Sequence, residues 1–112
     1  MSNHFIDLKR AIELTTIYRN NKGNMVTPNF SESLHLSETF DAAPIKAILD
    51  QPGCVKFRSY FGMDEDKKTC LIFVGVNAND EDMVEGVYAQ GVIVDDGKKC
   101  PPDCPPSSPL NT

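Results

Sequence analysis

Cys54-Val55-Lys56-Phe57-Arg58-Ser59-Tyr60-Phe61, followed across a polar loop by Thr69-Cys70-Leu71-Ile72-Phe73-Val74-Gly75-Val76, decides the fold. In the first segment Val55, Phe57 and Phe61 point one way, and Lys56, Arg58 and Tyr60 the other. This period of two is that of a half-buried strand. The second segment is nearly all apolar, as in a strand covered on both faces. Gly62-Met63-Asp64-Glu65-Asp66-Lys67-Lys68 joins them as an antiparallel hairpin.

Before the hairpin, Pro52-Gly53 ends a short helix expected over Ala42 to Asp50. Asp41 is its N-cap, and Pro44 fits within the first turn. Phe40 and Ile45 stand at staple positions around that cap. Ile45, Ile48 and Leu49 form the expected buried stripe. An earlier helix is expected from Leu8 to about Asn21, capped by Asp7 and ended by Lys22-Gly23. Leu8, Ala11, Ile12, Thr15 and Tyr18 share one face of it, expected to meet the core. Leu14 and Ile17 lie on the far side, either covered by another segment, exposed as single apolar side chains, or forming a self-association or partner surface. Residues 24–38 read as a connection, with a short strand around Leu34 and Leu36. After the hairpin, Met83 to Tyr88 and Gly91 to Val94 offer a third strand and a fourth. The expected class is α+β, with two N-terminal helices on one face of a three- to four-stranded, mainly antiparallel sheet.

One domain, 1–99, is followed by a tail, 100–112, in a chain of 112 residues. The tail, Cys100-Pro101-Pro102-Asp103-Cys104-Pro105-Pro106-Ser107-Ser108-Pro109-Leu110-Asn111-Thr112, has five prolines in 13 residues. Proline fixes φ and removes donors, so polyproline II is the expected form. In it, cysteines four apart stand about 12 Å apart on different sides. They then neither bridge nor chelate one ion. Joining them needs a turn at Pro102-Asp103, with a cis proline as one means. The tail has three readings: a disordered terminus, a strap burying prolines and Leu110 on the domain, or a pre-extended recognition peptide.

Charge and motifs exclude several functions. Sixteen acidic and 11 basic side chains give a net charge of −5. Phosphate backbones and anionic lipids call for clustered Lys and Arg, whereas here the basic residues are scattered among acidic ones. The first residues lack a basic segment before an apolar run, and Leu71 to Val76 is too short to cross a bilayer. A cytoplasmic location with reduced thiols is the expectation. The acidic clusters, Asp64 to Asp66 and Asn77 to Asp82, lack EF-hand spacing. The glycines fall at neither Walker nor dinucleotide spacing.

Three functions remain. The first is a non-enzymatic protein-interaction or accessory domain acting through the sheet, the second-helix stripe or the tail, with Leu14, Ile17, Pro101, Pro102, Pro105, Pro106 and Leu110 as partner-binding candidates. No catalytic residue and no cofactor are assigned to it. The second is a zinc or redox site on Cys100 and Cys104, with Cys54, Cys70 or His35 completing a zinc set. The third is an enzyme with Cys54 as nucleophile and His35 as base.

The chain also resembles a family of small bacterial proteins of Bacteroidetes type. The resemblance is carried by Ala11-Ile12, Tyr18-Arg19, Glu38-Thr39-Phe40, Gln51-Pro52-Gly53-Cys54 and Tyr60 to Asp66. Its most specific element is the tail motif Cys-Pro-Pro-x-Cys-Pro-Pro. Where such chains carry a serine and acidic residues at the first cap, this one has Asp7-Leu8-Lys9-Arg10. The resemblance implies a bacterial, cytoplasmic protein and transfers no catalytic residue.

Overall fold

A computed structural model describes residues 4–84 and 92–112. The order is α1 (Leu8–Asn21), two 3-10 turns (Lys22–Met25 and Pro28–Phe30), β1 (Ser37–Thr39), α2 (Ala42–Leu49), β2 (Lys56–Met63), β3 (Thr69–Val76), β4 (Ile93–Val94) and β5 (Lys98–Cys100). The fold is α+β. β2, β3 and β4 make an antiparallel sheet in that order, and β1 pairs with β5 in a separate two-stranded ribbon.

The hairpin register runs from Lys56 opposite Val76 to Met63 opposite Thr69. Directly opposed residues share a face. One face therefore holds Phe57, Ser59, Phe61 and Met63 with Thr69, Leu71, Phe73 and Gly75. The other holds Lys56, Arg58 and Tyr60 with Ile72, Val74 and Val76. In the connecting loop the Asp64 carboxylate accepts from the N–H groups of Asp66 and Lys68, both at 2.9 Å. The backbone N–H of Lys68, then that of Asp66 and the charge of Lys99, hold Asp64 below the usual carboxylate range. This carboxylate organises the turn. The second acidic stretch is built likewise around Asn77, whose Oδ1 accepts from Asn79 and Glu81.

α2 packs on the Phe73 face, touching β2, β3 and β4. Phe40, just before it, meets Phe73 edge-on with ring centroids 4.9 Å apart. A Cβ on Gly75 would stand 2.8 Å from Gln51 Nε2 and 3.1 Å from Cys54 Sγ. A larger residue there would need the Gln51, Cys54 and Met83 side chains to give way. The core is small: Ile48, Val74, Val76, Met83, Val94 and Cys100 are the buried apolar residues described.

Several expectations change. The α2 stripe reduces to Ile48, 1% exposed, with Ile45 half-buried, while Leu49 is 47% exposed and belongs to the surface. Asp41 stands at the α2 N-cap without a side-chain capping bond, whereas Asp7 caps α1 by accepting from Arg10 N–H at 2.8 Å. α1 reaches the rest of the domain by another route than sheet packing. Tyr18 OH donates to His35 O at 2.7 Å, and burial raises the Tyr18 pKa. Leu8, expected inside, is exposed. The expected short strand comes at Ser37–Thr39, two turns being inserted before it. Of the two later strand pieces, Ile93–Val94 forms β4, and the segment from residue 85 to residue 91 lies outside the described residues.

Replacing buried Ile48 with alanine leaves a cavity in the small core. Ile48→Ala is expected to lower unfolding free energy by about 2–5 kcal/mol. Leu49→Ala, on the exposed side, is expected to cost under about 1 kcal/mol. Urea titration of the two variants checks the pair.

Candidate functional site

β2 lies at the edge of its sheet, paired on one side only among the described residues. Asp64 N–H donates to Lys68 O at 2.9 Å, continuing the ladder one step past Met63 and Thr69. Ladder bonds alternate along an antiparallel strand. Lys56, Arg58, Tyr60 and Gly62 therefore bond inward to β3. Phe57, Ser59, Phe61 and Met63 turn their N–H and C=O groups outward. The same four residues share the partly covered face. Phe57 is 52% and Phe61 85% exposed, and Met63 is exposed too. Phe57 still leans on Phe73 at 5.8 Å between centroids. Free strand polarity and unburied aromatic surface thus coincide along one edge.

The opposite face of β2 is polar and self-paired. Lys56 Nζ donates to Asp80 Oδ1 at 2.8 Å and Arg58 Nη2 to the same oxygen at 2.9 Å. Arg58 Nη1 and Tyr60 OH both donate to the Asp82 carboxylate. Lys56, through its hydrogen bond and charge, with Arg58, holds Asp80 below the ordinary carboxylate range. The hydrogen bond to Asp82, then desolvation and the carboxylate charge, raise the pKa of Tyr60. This network fixes the 80–82 loop beside β2 and covers the polar side of the edge.

A second feature is the tail. Cys100 and Cys104 form a disulfide with Cα atoms 4.4 Å apart. The polyproline expectation of separated sulfurs is thus corrected. The chain turns back after β5, closed by Asp103 N–H on Lys99 O at 2.8 Å, with cis peptides before Pro101 and Pro102. The expectation of reduced thiols fails for this pair, while Cys54 and Cys70 are free. In the bridged state neither Cys100 nor Cys104 has a thiolate to offer zinc.

Farther on, Arg19 Nη1 donates to Leu110 O at 2.8 Å and Nη2 to Thr112 O at 2.9 Å. The tail end is therefore tied to α1. It is tied through backbone carbonyls rather than by burying prolines: Pro101, Pro102, Pro105 and Pro106 are exposed, and Leu110 is 42% exposed. Leu14 and Ile17 are also exposed on α1. Among the partner candidates from the sequence, the structure brings Leu110 to Arg19 on the helix carrying Leu14 and Ile17.

His35 and Cys54 are kept apart. His35 Nδ1 lies 3.4 Å from Thr69 Oγ1, and its Nε2 3.4 Å from Glu38 Oε1. Cys54 stands by Gly75, at the other end of β3. Six residues of strand span about 20 Å, well beyond nucleophile–base reach. His35, Glu38, Tyr18 and Phe61 line a cavity of about 290 Å³. Glu38 Oε1 is used by Leu71 N–H, and Oε2 is buried without a partner among the described residues. Among the described residues no three His, Cys, Asp or Glu gather as a metal set. No helix described is long and apolar enough to cross a membrane.

Sequence reasoning offered the sheet as one of three interaction surfaces but did not single out this edge: its alternation was visible, its lack of cover was not. No protein-family model, curated protein or solved structure matches the chain.

Two outcomes check this geometry. Denatured without reductant, the chain is expected to show two thiols reactive to a disulfide reagent, those of Cys54 and Cys70, and four after reduction. For Tyr60, a raised pKa means that the neutral phenol is favoured in the folded chain. The stability it supplies is present below the ordinary value of 10.0 and is lost as pH rises through the folded value. Asp82→Asn is expected to bring the Tyr60 titration, followed by NMR, down toward the ordinary value.

Proposed function

We propose that this protein is a non-enzymatic protein-interaction domain that takes an extended strand onto the β2 edge. One observation carries the reading. The residues with outward-facing backbone groups, Phe57, Ser59, Phe61 and Met63, are also those of the incompletely covered aromatic face. Strand addition draws affinity from main-chain bonds and selectivity from alternate side chains. An edge of eight residues with exposed aromatic rings is otherwise a liability that folded chains avoid.

In this proposal the tail is an intramolecular strap, held by Arg19 on the Leu110 and Thr112 carbonyls. The resemblance in the tail motif belongs to the proposal and adds no activity to it. As to compartment, an oxidising setting suits the Cys100–Cys104 bridge better than the reducing cytoplasm expected from the sequence.

A photoreactive benzophenone amino acid at position 61, with position 20 on exposed α1 as control, tests the docking edge in cells. Covalent protein adducts are expected from position 61 and not from position 20. Equal or negligible adducts at the two positions would sink the reading.

A further inference from the structure

We infer that the strand received by the β2 edge is β2 of a second copy of this chain, paired antiparallel about a two-fold axis at Ser59. The inference rests on the docking edge proposed above and names its occupant.

Geometry limits the choice of register. Two copies of an edge strand form one continuous antiparallel sheet only about an axis perpendicular to that sheet. Such an axis keeps each side chain on its own face, so odd-numbered residues meet odd and even meet even. The outward backbone groups belong to Phe57, Ser59, Phe61 and Met63, so hydrogen-bonded pairs must join odd residues. Centring on Ser59 places Phe57 opposite Phe61 of the second copy, twice by symmetry. Four exposed rings thereby become cross-strand neighbours on one face, each shielding part of its partner. On the other face Arg58 meets Tyr60 of the second copy, a cation beside a ring whose hydroxyl is already bound to Asp82. Lys56 meets Gly62.

Centring on Arg58 would oppose two guanidinium groups, which are destabilising as direct neighbours. Centring on Tyr60 opposes Phe61 to Ser59 and leaves the aromatic rings unmatched. Centring on Phe57 opposes Lys56 to Arg58, and centring on Phe61 pairs only the two Phe61 rings, so the Ser59 register alone pairs all four rings and opposes no like charges.

Charge agrees with self-pairing. The net charge of −5 is not concentrated here, because Lys56 and Arg58 on the edge are balanced by Asp80 and Asp82. A six-stranded sheet results, with β4 at both outer ends.

Sedimentation of the purified full chain, with three variants, tests the inference. The chain is expected to sediment at about twice 12.4 kDa at concentrations of about 100 μM, in the range of weak self-association. Ser59→Lys puts like charges face to face at the axis only in the dimer. It is expected to weaken dimerisation at least about tenfold, with an unchanged circular dichroism spectrum. Ser59→Cys is expected to give a covalent dimer on mild oxidation, because hydrogen-bonded antiparallel partners stand about 5.5 Å apart at Cα, within disulfide range. The parent chain is expected to give none. Tyr60→Cys reports the competing register.

A chain monomeric up to about 1 mM would overturn the second copy as occupant. A dimer indifferent to Ser59→Lys would overturn it too, placing the contact elsewhere. Preferential linkage through Tyr60→Cys would overturn the register. A monomeric chain that still gives adducts with other proteins from position 61 removes the second copy and leaves the docking edge standing. Loss of adducts from position 61 removes both.

Discussion

Eight cross-strand pairs between β2 and β3 hold this molecule in shape. From Lys56–Val76 to Met63–Thr69 they set which side chains share a face, and every later contact inherits that choice. Phe73 falls on the side where Phe40 and α2 can reach it. Gly75 falls where Gln51 and Cys54 come close. Val74 and Val76 fall on the other side, beside Arg58 and Lys56, whose charged ends meet Asp80 and Asp82. A register slip of one residue would reverse all of these at once.

The same ladder explains why the edge proposed for docking is left uncovered. α2 has eight residues and is about 12 Å long, whereas eight residues of strand span about 26 Å. One short helix cannot cover such a face. Its single buried residue is Ile48, and the outer strand keeps its aromatic rings in solvent. α1, the longer helix, does not make up the difference. It is docked through Tyr18 and Arg19, by hydrogen bonds to backbone carbonyls, with no residue of its own buried.

What could be read from the residues followed local rules. α1 begins and ends where Asp7 and Lys22-Gly23 place it, and β3 runs from Thr69 to Val76 as its apolar run indicates. β2 starts two residues later than its pattern suggests, because Cys54 N–H is used in a turn with Gln51 O. It also extends through Gly62 and Met63, which the polar loop seemed to claim. The β1–β5 ribbon was illegible. Ser37–Thr39 and Lys98–Cys100 are short and polar, and about 60 residues separate the partners. Alternation in Phe57 and Phe61 reported which way the rings point but could not report whether anything lies above them. In the tail, spacing alone favoured separated cysteines. The closing turn depends on Asp103 reaching Lys99, a contact that no periodicity encodes.

The Cys100–Cys104 bridge encloses only three residues. A loop so small removes little freedom from the unfolded chain, about 2 kcal/mol in the chain-entropy view. Its influence is therefore local: it pins the end of β5 where Leu36 N–H meets Cys100 O at 2.6 Å. Thermal resistance of the whole domain and the alignment of this ribbon are in that sense separable properties. Thiol chemistry at one turn can adjust the second while leaving the hairpin and its open edge untouched.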